Sequence, residues 1–186
     1  MKRIMLSLLV FAVAGIPSSE APKPPFSVSI VPNYSDRFGS GISMGQSRQN
    51  EFFVVLTNIS QQTQPVFETW NSLGYQTISF ELVTPEGKKY VFSKKTHGFD
   101  KNFPSTYMIK AGENQVYTIC LDDTWETTPS LPEEKKMQVA IKAIYEVSRE
   151  QVPDDFVKPF VAPFKVWYGR VESHSYNLTF YRSDSR

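Results

Sequence analysis

Hydrophobic and polar positions alternate with a period of two over much of the chain. Between Tyr75 and Val83, Ile78, Phe80 and Leu82 alternate with Thr77, Ser79 and Glu81. This pattern sets one face of a strand on a core and the other in water. Pro85-Glu86-Gly87 follows, with Pro presetting φ and Gly allowing the positive φ that closes a turn. Lys88 to Ser93 then returns as the partner strand, so Tyr75 to Ser93 predicts a β-hairpin.

The same period predicts strands at Phe26 to Val31, Pro65 to Trp70, and Met137 to Val147, where Val139, Ile141, Ala143, Tyr145 and Val147 share a face. The continuous run Phe52-Phe53-Val54-Val55-Leu56 within Glu51 to Ile59 predicts a strand covered on both faces. Ser105 to Lys110 and Gln115 to Leu121 flank Ala111-Gly112-Glu113-Asn114, which predicts a second hairpin. Lys165 to Glu172 and Tyr176 to Tyr181 predict a closing hairpin. About eight or nine short strands at near-regular spacing, with no helical period, define an all-β chain: an immunoglobulin-like β-sandwich of antiparallel strands with little or no helix. Three stretches are expected as long loops: Asn33 to Asn50, Asp122 to Lys136 and Arg149 to Phe164.

The first residues depart from this pattern. Lys2 and Arg3 precede the uncharged run Ile4 to Ile16, then Pro17, Ser18 and Ser19, with small residues at Ser19 and Ala21. This is the order of a secretory signal peptide, expected to span residues 1–21, and the apolar run is too short for a membrane span. Pro22, Pro24 and Pro25 make residues 22–25 a stiff lead-in to a single domain at 26–182. The expected location is secreted or periplasmic, without a membrane anchor. Removing Lys2, Arg3 and Glu20 takes the count from 20 basic against 19 acidic residues to 18 against 18. A neutral chain without a basic cluster lacks the footprint of a nucleic-acid binder. With Cys120 as the single cysteine, no intrachain disulfide forms, and the core alone must hold the fold. The sequons Asn58-Ile59-Ser60 and Asn177-Leu178-Thr179 matter only in a glycosylating secretory pathway.

Leu56-Thr57-Asn58-Ile59-Ser60, then Phe80-Glu81-Leu82-Val83 with Gly87, then Ala111-Gly112-Glu113 with Tyr117 follow one another in an order that resembles the intracellular proteinase inhibitor family and its relatives. Val166 to Ser173 is similar to the last hairpin of secreted immunoglobulin-like proteins of bacteria. The resemblance covers the middle and end of the chain and implies the fold. Carried further it implies inhibition of a protease, although that family is cytoplasmic and this chain carries an export signal.

Catalytic chemistry finds little support. The two histidines, His97 and His174, stand in connections, and no Gly-x-Ser-x-Gly occurs. One cysteine and two scattered histidines do not make a zinc set, and Asp122-Asp123 with Glu126, or Asp154-Asp155, lack calcium-loop spacing. No cofactor is expected. The aromatics of the loops are better candidates. Trp125 lies among Asp122, Asp123 and Glu126, Trp70 ends a strand, and Phe156 and Phe160 stand in a proline-broken stretch. These four are the candidate contacts of a non-catalytic binding module that meets a protein partner through loops or a sheet edge. A protease inhibitor and a carbohydrate-binding domain are the alternatives. The carbohydrate reading requires Trp125 or Trp70 to be exposed beside a carboxylate.

Overall fold

The computed structural model describes residues 23–35, 39–44, 51–133, 136–150 and 165–182. Within them the alternating segments form strands: β1 (Phe26–Val31), β2 (Asn33–Ser35), β3 (Gly39–Met44), β4 (Phe52–Asn58) and β5 (Gln64–Phe67). A single turn of helix, α1 (Ser72–Tyr75), precedes β6 (Ile78–Val83) and β7 (Lys89–Lys94). Then come β8 (Thr106–Ile109), β9 (Asn114–Ile119), β10 (Trp125–Thr128), β11 (Lys136–Val147), β12 (Gly169–Glu172) and β13 (Tyr176–Arg182). No helix among the described residues is long and apolar enough to cross a membrane.

The architecture is all-β. A large sheet has the order β10-β7-β6-β11-β13-β3-β2, with β12 also on β11. A smaller sheet, β1-β4-β9, lies against it, and β5 pairs with β8. All pairings are antiparallel except β13 with β3. The faces meet through aromatic rings: Phe52 on Phe80 at 5.3 Å and Phe26 on Tyr145 at 5.9 Å between centroids. Fully burying each such side chain stabilises the fold by about 1.5–3 kcal/mol. The hairpin of β6 and β7 forms as expected, closed by Gly87 at φ +83°.

Two expected hairpins resolve differently. β8 pairs with β5 and β9 with β4, so the Lys110–Glu113 turn joins two sheets rather than two partners. β4–β5 and β8–β9 run as one ribbon, interrupted after Asn58. There Gly112, at φ +77°, and Glu113 both face Asn58: Gly112 N–H donates to Asn58 O, and Asn58 N–H donates to Glu113 O. The Asn58 side chain, with no exposed surface, holds the break. Its Nδ2 donates to Gln62 O at 2.7 Å and Ile109 O at 2.8 Å, and its Oδ1 accepts from Ser60 N–H and Oγ–H. The Thr-Asn-x-Ser segment is therefore a polar clamp between the two halves of the ribbon.

The closing hairpin is also absent, since β12 and β13 both pair with β11. Ile144 faces Glu172 and Ile141 faces Tyr176, so two residues of β11 oppose three, Ser173 to Ser175. That is a one-residue bulge in a continuous edge. Ser173 fills the gap: its N–H donates to Ala143 O, and its Oγ accepts from Ala143 N–H and donates to His174 O. The extra residue changes parity, so Val171 and Ser173 point inward before it and Leu178 and Phe180 after it.

The expected loops at 33–50 and 122–136 contain strands. β2 and β3 form a hairpin joined to β13, and β10 pairs with β7, which raises the strand count above expectation. β4 is covered on one face only, because Phe53 remains 38% exposed.

Two outcomes follow. Asn58→Ala removes the buried donor to Ile109 O and the acceptor of Ser60 N–H, while Gln62 O keeps the Ser60 hydroxyl, and is expected to lower the unfolding free energy by about 1–3 kcal/mol in urea denaturation. Deleting His174 removes the extra residue and sets Val171, Ser173, Leu178 and Phe180 at even spacing, so β12 and β13 should run as one regular strand on β11 with cooperative unfolding retained. His174→Ala, on an exposed side chain, should change stability by less than about 0.5 kcal/mol.

Candidate functional site

The two sheets diverge where β9 ends the smaller one and β10 ends the larger. Between them lies a cleft of about 500 Å³. One wall is the run Gln115 to Ile119 of β9, and the other includes Tyr75, Lys94 and Trp125, with Glu68 and Trp70 also lining the space.

Trp125 does not project from a polar loop. It is 3% exposed and packs on Phe80 at 5.4 Å between centroids. The acidic residues around it misled the expectation of exposure: β10 pairs with β7, and alternation puts Trp125 inside and Glu126 outside. Its indole Nε1 is buried and has no hydrogen-bond partner among the described residues. Above the ring lies Lys94, its Nζ 4.5 Å from the Trp125 centroid, 5.4 Å from that of Tyr75, and donating to Thr124 Oγ1 at 2.6 Å. Burial holds the Lys94 ammonium below its ordinary pKa, with Asp122 pulling the other way.

Trp70 sits in the same cleft and is 42% exposed. Its Nε1 donates to Glu68 Oε2 at 2.7 Å, and its ring meets Phe103 edge-on at 4.8 Å. The segment is set by Asn71, whose Oδ1 caps α1 by accepting from Leu73 and Gly74 N–H while Nδ2 donates to Ser105. Gly74 lies against the Glu68 carbonyl so closely that a Cβ there would collide with it. Phe156 and Phe160 lie outside the described residues.

The cleft also holds a tyrosine pair, with Tyr107 and Tyr117 hydroxyls 2.7 Å apart. Burial pushes Tyr117 up to about 12 and Tyr107 further, the neighbouring Tyr117 adding to the latter. Burial raises the Cys120 thiol as well, with Asp122 and Glu51 adding to it, so it is protonated at neutral pH. His97 is exposed, its ring tilted beside that of Tyr75 and edge-on to that of Phe99. Asp122 accepts from Thr124 N–H and Oγ1–H, and no group of three or more His, Cys, Asp or Glu converges among the described residues.

The feature that residue-by-residue reading missed is the edge of β9. Its sequence, Asn114-Gln115-Val116-Tyr117-Thr118-Ile119, has no charge and no proline. Native edges are ordinarily blocked by such residues, and their lack is a signal visible in the sequence once a strand is known to lie at an edge. No protein-family model, curated protein or solved structure matches this chain.

The tyrosine pair has a measurable consequence. Below pH 10 both folded and unfolded Tyr117 are protonated, and the pair's full contribution is present. Between about pH 10 and 12 the unfolded tyrosine ionises while the folded one keeps its proton, so the unfolded state is favoured by up to about 2–3 kcal/mol. Wild-type stability should therefore fall over this window more steeply than that of Tyr117→Phe, as read by urea unfolding at a series of pH values.

Proposed function

We propose that the chain is an exported, non-catalytic binding module of the cell exterior. In this reading it is built on an immunoglobulin-like sandwich and meets a protein partner through the β9 edge of its smaller sheet. Export rests on Lys2, Arg3 and the apolar run Ile4 to Ile16. The observation that carries the binding site is the unblocked edge itself. β1, at the opposite side of the small sheet, is bracketed by Pro25 and Pro32. The large sheet ends on one side in β10, four residues long with Glu126 in it and Pro129 after it, and on the other in β2, three residues long. β9 has none of these protections and opens on the cleft. Val116, 51% exposed, and Phe53 extend the apolar surface onto the outer face beside it.

A second reading, a glycan site, is favoured by Trp70, which is exposed beside the Glu68 carboxylate. That is the arrangement a carbohydrate platform needs.

The experiment is affinity capture with residues 22–186 as bait from extracellular and envelope extracts, read by mass spectrometry, beside the Thr118→Pro variant. A protein captured by the wild type and lost with Thr118→Pro supports the edge. Equal capture by both removes it. A glycan-array signal lost in Trp70→Ala and kept in Thr118→Pro would replace it with the carbohydrate reading.

A further inference from the structure

We infer that the partner binds as an added β-strand: an extended, uncharged polypeptide segment that enters the cleft and hydrogen-bonds to the main chain of Val116 and Thr118. This rests on the edge reading above and specifies its chemistry. The argument begins at Asn58. Its N–H donates to Glu113 O at 3.0 Å, in line with the β4–β9 register that sets Thr57 opposite Asn114. In an antiparallel pair, residues bonded to the partner alternate with residues whose N–H and C=O point away. Counting from Glu113, Gln115, Tyr117 and Ile119 bond β4, while the amides of Val116 and Thr118 face outward. Gln115 Nε2 donates to Val116 O at 3.2 Å, which is consistent with a carbonyl not engaged by β4.

Only another main chain presents donors and acceptors at the strand repeat on this line. Side chains of an added strand would alternate as well. One set would face the cleft, towards Tyr75, Lys94 and Trp125. The other would extend the outer row in which Val31, 46% exposed, neighbours Phe53, and Phe53 neighbours Thr118. The described charges lining the cleft are Glu68, which accepts from the Trp70 indole, and Lys94, which donates to Thr124 and lies over Trp125. They balance, so the cleft favours a neutral segment with apolar residues at alternate positions.

The test uses residues 22–186 and a phage-displayed library of random linear dodecapeptides, with the best binder synthesised in blocked form and its main chain N-methylated one position at a time. Strand addition predicts a period of two: methylation at alternate residues weakens binding about tenfold or more, and at the intervening residues much less. Thr118→Pro, whose lost N–H serves no bond to β4, should fold as the wild type does by thermal unfolding and fail to bind the peptide. Phe53→Ser should weaken binding by a few-fold through the outer row.

If Thr118→Pro abolishes binding but the methyl scan has no period, the edge is the site and strand addition is wrong. If Thr118→Pro folds and binds unchanged, both readings fall. If no peptide enriches and sedimentation shows a dimer that Thr118→Pro dissolves, the occupant is a second copy of the chain, and the peptide inference is overturned.

Discussion

β11 is the constraint on which the remaining structure depends. One edge of this twelve-residue strand pairs with β6, and the other holds β13 and then β12. Its inward row, Val139, Ile141, Ala143, Tyr145 and Val147, forms the floor on which the smaller sheet rests. No intrachain disulfide can substitute for this packing, because the chain has one cysteine. Two edges must therefore stay in register with one inward row. The Ser173–Ser175 bulge reconciles them, by changing the parity of the chain once between β12 and β13.

The same geometry sets the cleft. The small sheet is held at β1, which packs near β11 and β12, and its far strand β9 has no partner among the described residues. On the large sheet the corresponding strand is β10, reached through β6 and β7. The two sheets thus meet firmly at one side and part at the other. Lys94 bridges this open side: it covers Trp125, contacts Tyr75 and donates to Thr124. The Lys94 ammonium screens an indole whose N–H finds no acceptor among the described residues. Desolvation of that N–H opposes folding by about 1–3 kcal/mol, while a cation over the indole face offsets part of it.

Much of the fold was legible in the sequence because period-two alternation reports directly on which face is buried. It placed β6, β7 and β11. Partnership was harder to read. Ala111-Gly112-Glu113 has turn chemistry, but a positive-φ glycine serves a bulge between sheets as well as a hairpin, and local sequence does not distinguish them. Ser173-His174-Ser175 likewise resembles a hairpin tip. The informative sign was the parity change between Val171 and Leu178, seven residues apart on one inward face where strict alternation demands an even spacing. For the site, Trp70 and Trp125 both line the cleft. Their environments were not legible, because the polar neighbours of Trp125 describe the outer face of β10 and not the inner one.

The β9 edge poses the remaining physical question: why a strand is left able to pair. A free edge of neutral, β-prone residues is a template for uncontrolled association. Blocking it needs little, since the side chains of Val116 and Thr118 already face solvent and a lysine at either position would disturb no core contact. The fold does not require an open edge here either, because β9 is bonded to β4 along its other side. Folding stability is therefore nearly indifferent to whether the edge is blocked. On the proposed reading, an open edge supplies a row of main-chain donors and acceptors beside the cleft. On that reading, selection would begin with the shape of the main chain before any side chain is read. That combination separates an edge suited to one partner strand from an edge that merely aggregates.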